Sequence, residues 1–237
     1  NKFHLRPMVT PPAFAFGTIF HEALAQLYLD VPLDKVMEMV RREMQSDTDA
    51  ALLAMVPGYY KNVLPDDLER FTVLDIEHHF NIIPTTSLGE YLFPLVPSTD
   101  SKTGERIYDA NGNPVMEPSL TICGSIDMIV LDKEEGKIYG FEHKTCKNFR
   151  DESYLWLDEQ PRVYTWALQV FVKEYNQKHG TQYELGGVYL NEVKKLLRQF
   201  QYHRTLCTYS DEDLDNFMLA LFNDCRECKH IVDRNSY

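Results

Sequence analysis

Residues 124–145 read GSIDMIVLDKEEGKIYGFEHKT, and this stretch decides the fold. A mostly apolar run over residues 120–132 reads as a long strand. Lys133-Glu134-Glu135-Gly136 reads as a turn, and residues 137–145 as the next strand. With a four-residue turn, Asp132 pairs with Lys137, and counting back in register sets Asp127 opposite Glu142. Side chains directly across an antiparallel pair stand about 5 Å apart. Glu142 and Lys144 are two residues apart and share one face of their strand. Two carboxylates and an ammonium therefore converge on one patch.

Adjacent carboxylates repel, and each has a raised pKa unless a cation sits between them. A hard divalent metal with oxygen ligands meets that need. A lysine beside it can orient a water or stabilise charge on a phosphoryl oxygen. The other reading is a salt-bridged cross-strand pair in which Lys144 neutralises Glu142. These residues alone leave both open.

Moving outward, residues 151–176 have helical spacing, with Gly180 beyond as a stop. Pro161 is tolerated only in a first turn, which puts the start of the helix near Asp158. Gln160 and Tyr164 are four apart and face one side of it. A helix start with polar side chains just after the carboxylate hairpin can face a phosphate; alternatively Tyr164 is core and Gln160 is solvated. Upstream, residues 13–30 have helical spacing broken by Pro32, and they carry Gly17-x3-His21. Gly17 would let a backbone or ligand approach. The imidazole of His21 is either a further metal ligand or an ordinary core or surface histidine. Residues 33–45 read as a second amphipathic helix, and residues 50–63 as a helix interrupted at Pro57-Gly58.

The period then changes to two over residues 72–83, with Leu74, Ile76, Phe80 and Ile82 on one side and Asp75, Glu77 and Asn81 on the other. Residues 94–118 are rich in Pro, Gly, Ser and Asp and contain Asn111-Gly112, a hairpin signal. They read as a β-ribbon or loop inserted between two core strands. Residues 188–193 and 199–209 predict two further strands. Ser210 to Asp213 resembles a helix-start box for a last helix reaching about Ile231. The expected fold is α/β, a central mixed sheet flanked by helices. The expectation is a single domain over 1–237, with a helical part at 13–70, the insertion at 94–118, and the hairpin and helix at 120–176.

The chain has 237 residues, 24 basic and 36 acidic, for a net charge of −12. That charge excludes coating nucleic acid by bulk attraction; contact would need a local basic groove. HKTCKNFR (143–150) and KKLLRQFQYHR (194–204) could supply one, or could be solvated faces. No apolar run approaches the roughly 18 residues of a membrane span. No charged-then-apolar leader opens the chain. Its first residue is Asn1, so the start reads as trimmed. Five cysteines without a leader suggest reduced thiols in a cytoplasmic compartment.

In order, FGTIFHEAL, IEHHF, GSIDMIVLD, GFEHKT and QPRVY resemble the PD-(D/E)XK nuclease superfamily, with a restriction-endonuclease-like core. More narrowly they resemble its RecB-like branch of recombination, CRISPR-adaptation and phage exonucleases. The resemblance runs from about Gly17 to the last helix. It implies a Mg²⁺- or Mn²⁺-dependent DNA nuclease, end-directed by preference, acting in repair, recombination or phage DNA processing. The setting would be the cytoplasm of a bacterium or a phage-infected host. A recombination, helicase or single-strand-binding protein is an implied partner, with oligomeric state open.

By the same resemblance, Asp127, Glu142, the backbone carbonyl of His143 and His21 would hold the metal. Lys144 would position or activate the attacking water, and Gln160 and Tyr164 would orient Lys144 or the DNA strand. Glu77 would be a supporting or second-metal carboxylate. Lys147, Arg162, Lys194, Lys195, Arg198 and Arg204 would contact phosphates. Some RecB-like members hold an iron–sulfur cluster with one cysteine before the first helix and three near the C-terminus. Here no cysteine precedes His21, and Cys225-x-x-Cys228 cannot fill a four-cysteine site. A cluster is not expected in this chain. The alternative is a non-cleaving nucleic-acid-binding subunit of a larger recombination or helicase–nuclease complex.

Overall fold

A computed structural model describes residues 12–44, 47–83, 95–100, 102–118, 121–155 and 158–234. The polar lead up to Pro11, the first residue of the expected insertion, the start of the strand at Leu120 and the Cys228 side chain lie outside the described residues.

Among the described residues, four α-helices come first. In α1 (Pro12–Tyr28), Phe16, Phe20, Ala23, Leu24 and Leu27 recur at helical spacing and are buried. Asp30 takes a left-handed φ of 61° just past its end, where Pro32 blocks continuation. α2 (Leu33–Glu43) buries Val36, Met37, Met39 and Val40. After a short 3₁₀ turn (Asp47–Ala51), α3 (Leu52–Asn62) runs straight through Pro57, where the sequence predicts an interruption. Burial of Leu52, Met55, Val56 and Tyr59 holds that helix together despite the lost N–H. Gly58 sits where Phe200 crosses: a Cβ there would lie 2.5 Å from the ring. α4 (Leu64–Arg70) lies inside the helical part expected over 13–70, though the sequence analysis does not single it out as a separate helix; Pro65 and two aspartates mark its first turn.

The strands are β1 (Phe71–Ile82), β2 (Leu95–Pro97), β3 (Met116–Pro118), β4 (Ile122–Asp132), β5 (Lys137–Cys146), β6 (Glu184–Lys194) and β7 (Tyr202–Cys207). Between β5 and β6 lie α5 (Glu152–Leu155) and α6 (Glu159–His179); α7 (Asp211–Arg234) ends the described chain. The main sheet has the order β1-β4-β5-β6-β7. β4 and β5 are antiparallel, β5 and β6 parallel through the α6 crossover, and β6 and β7 antiparallel. This is a five-stranded mixed sheet flanked by helices, the restriction-endonuclease-like architecture expected.

The β4–β5 ladder pairs Met128 with Phe141 and Leu131 with Ile138, the register expected from the four-residue turn. Tyr139 and Phe141 face the cluster built by α1–α4. Gly140, on the opposite face, lies under Leu168 of α6. Both faces of β5 are thus covered, as parallel pairing demands. The alternation in β1 differs from expectation. Phe71, Val73 and then Ile76 all meet the helical cluster, so the pattern slips by one residue. Glu77 follows the slip with φ 53°.

The chain divides into two compact units. Residues 1–78 and 126–208 form the first, which holds the helices α1–α6 and most of the main sheet. Residues 79–125 and 209–237 form the second. There β2 and β3 pair antiparallel, Leu95 with Pro118, giving the ribbon the sequence predicts. Between these strands, the turn that closes the Tyr108–Pro114 bridge is not the two-residue turn that Asn111-Gly112 suggests. Gly112 N–H bonds Asp109 O at 3.0 Å, and Gly112 takes φ 81°, a three-residue loop ending in a left-handed glycine. The Ser210 hydroxyl accepts from Asp213 N–H and donates to its carboxylate, so the start of α7 is capped as expected.

Candidate active site

The residues singled out by spacing come together within the first unit. The side of β5 that faces α6 carries Glu142 and Lys144. Asp158 caps α6 by accepting Gln160 N–H at 3.1 Å, leaving Pro161 in the first turn. Gln160 then points its amide at the sheet: Nε2 donates to Glu142 Oε1 at 2.9 Å and to Tyr164 Oη at 2.7 Å. Tyr164 is buried. Lys144 Nζ is also ion-paired with Glu142 Oε1. One oxygen of Glu142 therefore takes both donors. The other, Oε2, is buried with no hydrogen-bond partner among the described residues.

Asp127 is held from two directions. Its Oδ2 accepts the His143 N–H at 2.7 Å, and its Oδ1 lies 3.3 Å from His21 Nδ1. Burial alone would lower the His21 pKa, but the hydrogen bond and charge of Asp127 outweigh it and leave it raised. Burial alone would raise Asp127, but His21 brings it below the usual carboxylate range. Glu142 goes the other way. Burial and then repulsion by Asp127 push it up to about 7, and Lys144 only partly offsets them. A buried carboxylate with an orphaned oxygen, beside a second carboxylate, is a donor set short of one positive charge.

Glu77 enters the site more directly than the sequence suggests. One ligand atom from each of His21, Glu77 and Asp127 lies within 4.8 Å of the other two. These three line a cavity of about 10 Å³ with Tyr28 and His143, room for one water-sized body. The left-handed backbone at Glu77 is costly for a non-glycine residue, roughly 1–3 kcal/mol. Such strain is commonest at functional sites. Two carboxylates, an imidazole and the bare Glu142 oxygen nearby are hard-cation chemistry.

The expected phosphate contacts separate into two groups. Lys147 and Arg198 are exposed, and Arg162 is half-buried. Lys194 lies over the Phe149 ring at 4.4 Å and Lys195 over Phe16 at 4.3 Å, so the first is held to the loop after β5 and the second to α1. Arg204 is a correction. Its terminal nitrogens both bond Asp67 at 2.7 Å, and its Nε bonds Asn191 at 2.6 Å. Its guanidinium also covers Phe141. Its charge is consumed inside the fold and is not offered to a phosphate. Gly17 has no close neighbour either: a Cβ there would meet nothing within 4 Å among the described residues.

Asn191 and Glu192 are absent from the sequence reading, as are the roles of the His143 and Arg150 side chains. Asn191 and Glu192 are buried on β6. Glu192 pairs in register with Lys144 and accepts Arg150 N–H at 3.2 Å, while the Arg150 side chain bonds the α6 cap Asp158. His143, between Glu142 and Lys144, is buried among Tyr28, Tyr59 and Phe141. The available signal was two adjacent polar residues in the otherwise apolar GGVYLNEV run; buried polar groups need partners.

The family model of the PD-(D/E)XK nuclease superfamily matches residues 3–232. No curated protein matches the chain. Among solved structures, the crystal structure of SSO0001 is similar at 9% sequence identity and a TM-score of 0.34, covering 88% of this chain and 85% of that one.

Proposed function

The chain belongs to the PD-(D/E)XK nuclease superfamily, and from that premise we propose that it is a Mg²⁺- or Mn²⁺-dependent deoxyribonuclease of the RecB-like branch that digests DNA from ends. Members of the superfamily generally use divalent metals, and a nuclease takes nucleic acid as substrate. Among the described residues, no helix is long and apolar enough to cross a membrane. DNA as the nucleic acid, a role in repair, recombination or phage DNA processing, a helicase or single-strand-binding partner, and a bacterial or phage-infected cytoplasm all belong to the proposal. So does action as one nuclease domain.

The observation that carries the reading is the bare, buried Oε2 of Glu142 beside Asp127. A divalent cation bound there would supply Lewis acidity and an acidified water. Asp127, Glu142, His21, Glu77 and the His143 carbonyl are its proposed ligands. Lys144 has three N–H donors, of which Glu142 takes one. The others are available to orient the attacking water or meet a phosphoryl oxygen. Gln160 and Tyr164 fix which face Glu142 presents. Lys147, Arg162, Lys194, Lys195 and Arg198 would steer the strand. A non-cleaving module has no use for a buried carboxylate with an open oxygen, so cleavage is the favoured reading.

End-labelled linear DNA and closed circles, incubated with the protein in Mn²⁺, Mg²⁺ or EDTA beside Lys144→Ala, test this. Metal-dependent loss of the linear form alone, absent in the variant, is the expected result. Cleavage of circles as well would overturn end-directed action. No cleavage in either metal would overturn the nuclease reading of this chain.

A further inference from the structure

We infer that Asn191 is a positioning residue: it dictates which nitrogen of His143 carries the proton, and through His143 it sets the placing of His21 and Asp127. The inference rests on the reading of those two side chains as metal-binding.

The argument follows donors and acceptors along one buried chain. A guanidinium only donates. Arg204 is locked in orientation by its two bonds to Asp67, which leaves Nε aimed at Asn191 at 2.6 Å. Tyr202 donates to the same Asn191 atom at 3.0 Å. Facing two donors, that atom must be the carboxamide oxygen. The amide nitrogen is then on the other side, 3.3 Å from His143 Nδ1. An amide nitrogen only donates, so Nδ1 accepts and a neutral His143 carries its proton on Nε2. Asn191 is fully buried and His143 is 3% exposed, so water cannot easily substitute for either partner.

His143 touches both candidate ligands. Its ring meets His21 edge to face at 6.2 Å, and its backbone N–H holds Asp127 at 2.7 Å. Were the proton on Nδ1, two N–H donors would face each other in a dry site. The ring or β6 would have to move, and the seats of His21 and Asp127 with it. Groups one step removed from a metal act in this way, and their loss typically weakens metal binding about 10- to 100-fold.

Asn191→Asp tests the idea with almost no change of shape. A carboxylate still accepts from Arg204 but cannot donate to His143, so it demands the Nδ1–H form. Long-range ¹H–¹⁵N correlation spectra of the histidines, assigned with a His143→Gln control, report the tautomer. Calorimetric titration with Mn²⁺ reports the site. The expected result is Nε2–H in the parent, and in Asn191→Asp an Nδ1–H ring with Mn²⁺ affinity down about tenfold or more. An Nδ1–H ring in the parent overturns the inference, and needs no variant to fold. Unchanged Mn²⁺ affinity in Asn191→Asp, with affinity lost in His21→Ala, overturns the inference alone. Unchanged affinity in both variants, or a parent that binds no Mn²⁺, overturns the metal reading of His21 and the inference with it.

Discussion

Gln160 Nε2 reaches both Glu142 Oε1, at 2.9 Å, and Tyr164 Oη, at 2.7 Å, so the first turn of α6 decides which oxygen of Glu142 is left bare. The amide has two hydrogens and spends one on each partner. Lys144 meets the same Oε1. The bareness of Oε2 is thus built by three neighbours rather than left over.

Gln160→Leu should therefore release Glu142 without unfolding the protein. Metal-dependent cleavage should fall roughly 10- to 100-fold, as for other groups that orient a metal ligand. Single-turnover cleavage at saturating Mn²⁺, alongside a thermal melt, would measure it. A rate within twofold of the parent would show that the hydrogen bond orients nothing that matters.

The pH dependence of stability holds two opposed effects. Glu142 is raised from 4.5 to about 7, so in metal-free protein its contribution is fully present below about 4.5 and is lost as pH rises through 7. Burial lowers His143 from 6.5 to about 4, so its contribution is fully present above 6.5 and is lost as pH falls through 4. Each is worth up to roughly 3 kcal/mol, and across the same pH range the two act in opposite directions. Glu142→Gln should expose the loss on acidification, and His143→Leu the loss as pH rises from about 4.5 to 7. Urea unfolding in EDTA across that range would show it. Variant curves running parallel to the parent's would remove both assignments.

The legible parts of this chain are those where one local rule acts alone. Turn length fixed the β4–β5 register, and with it the placing of Asp127 relative to Glu142. Pro161 marked the start of α6. The illegible parts depend on partners distant in sequence. α3 continues past Pro57 because the core needs its buried face. Arg204 looks like a surface cation in QYHRT, and only its bonds to Asp67, 137 positions away, make it internal. Glu77 reads as the outward side of an alternating strand, because a one-residue slip in β1 leaves no mark in composition.

Gly58→Ala tests the packing under α3. The substitution gains roughly 1 kcal/mol of helix propensity. Its Cβ would stand 2.5 Å from Phe200, and overpacking a filled site costs about 1–3 kcal/mol. The net expectation is a loss of about 1 kcal/mol in urea unfolding. Adding Phe200→Leu should recover part of it. Simple additivity of the two changes would mean that the ring moves aside freely.

The strain at Glu77 can be separated from its charge. Glu77→Gly and Glu77→Ala both remove the carboxylate from the cluster with His21 and Asp127, so both should weaken Mn²⁺ binding in a calorimetric titration. They differ in backbone. At φ 53° alanine keeps the left-handed penalty, which glycine escapes. The glycine variant should be the more stable of the pair by about 1 kcal/mol, after allowing for its larger entropy loss on folding. Equal stability of the two variants would mean that β1 relaxes out of the left-handed conformation once the carboxylate is gone. The conformation would then be held by the side chain in the site rather than imposed by the strand.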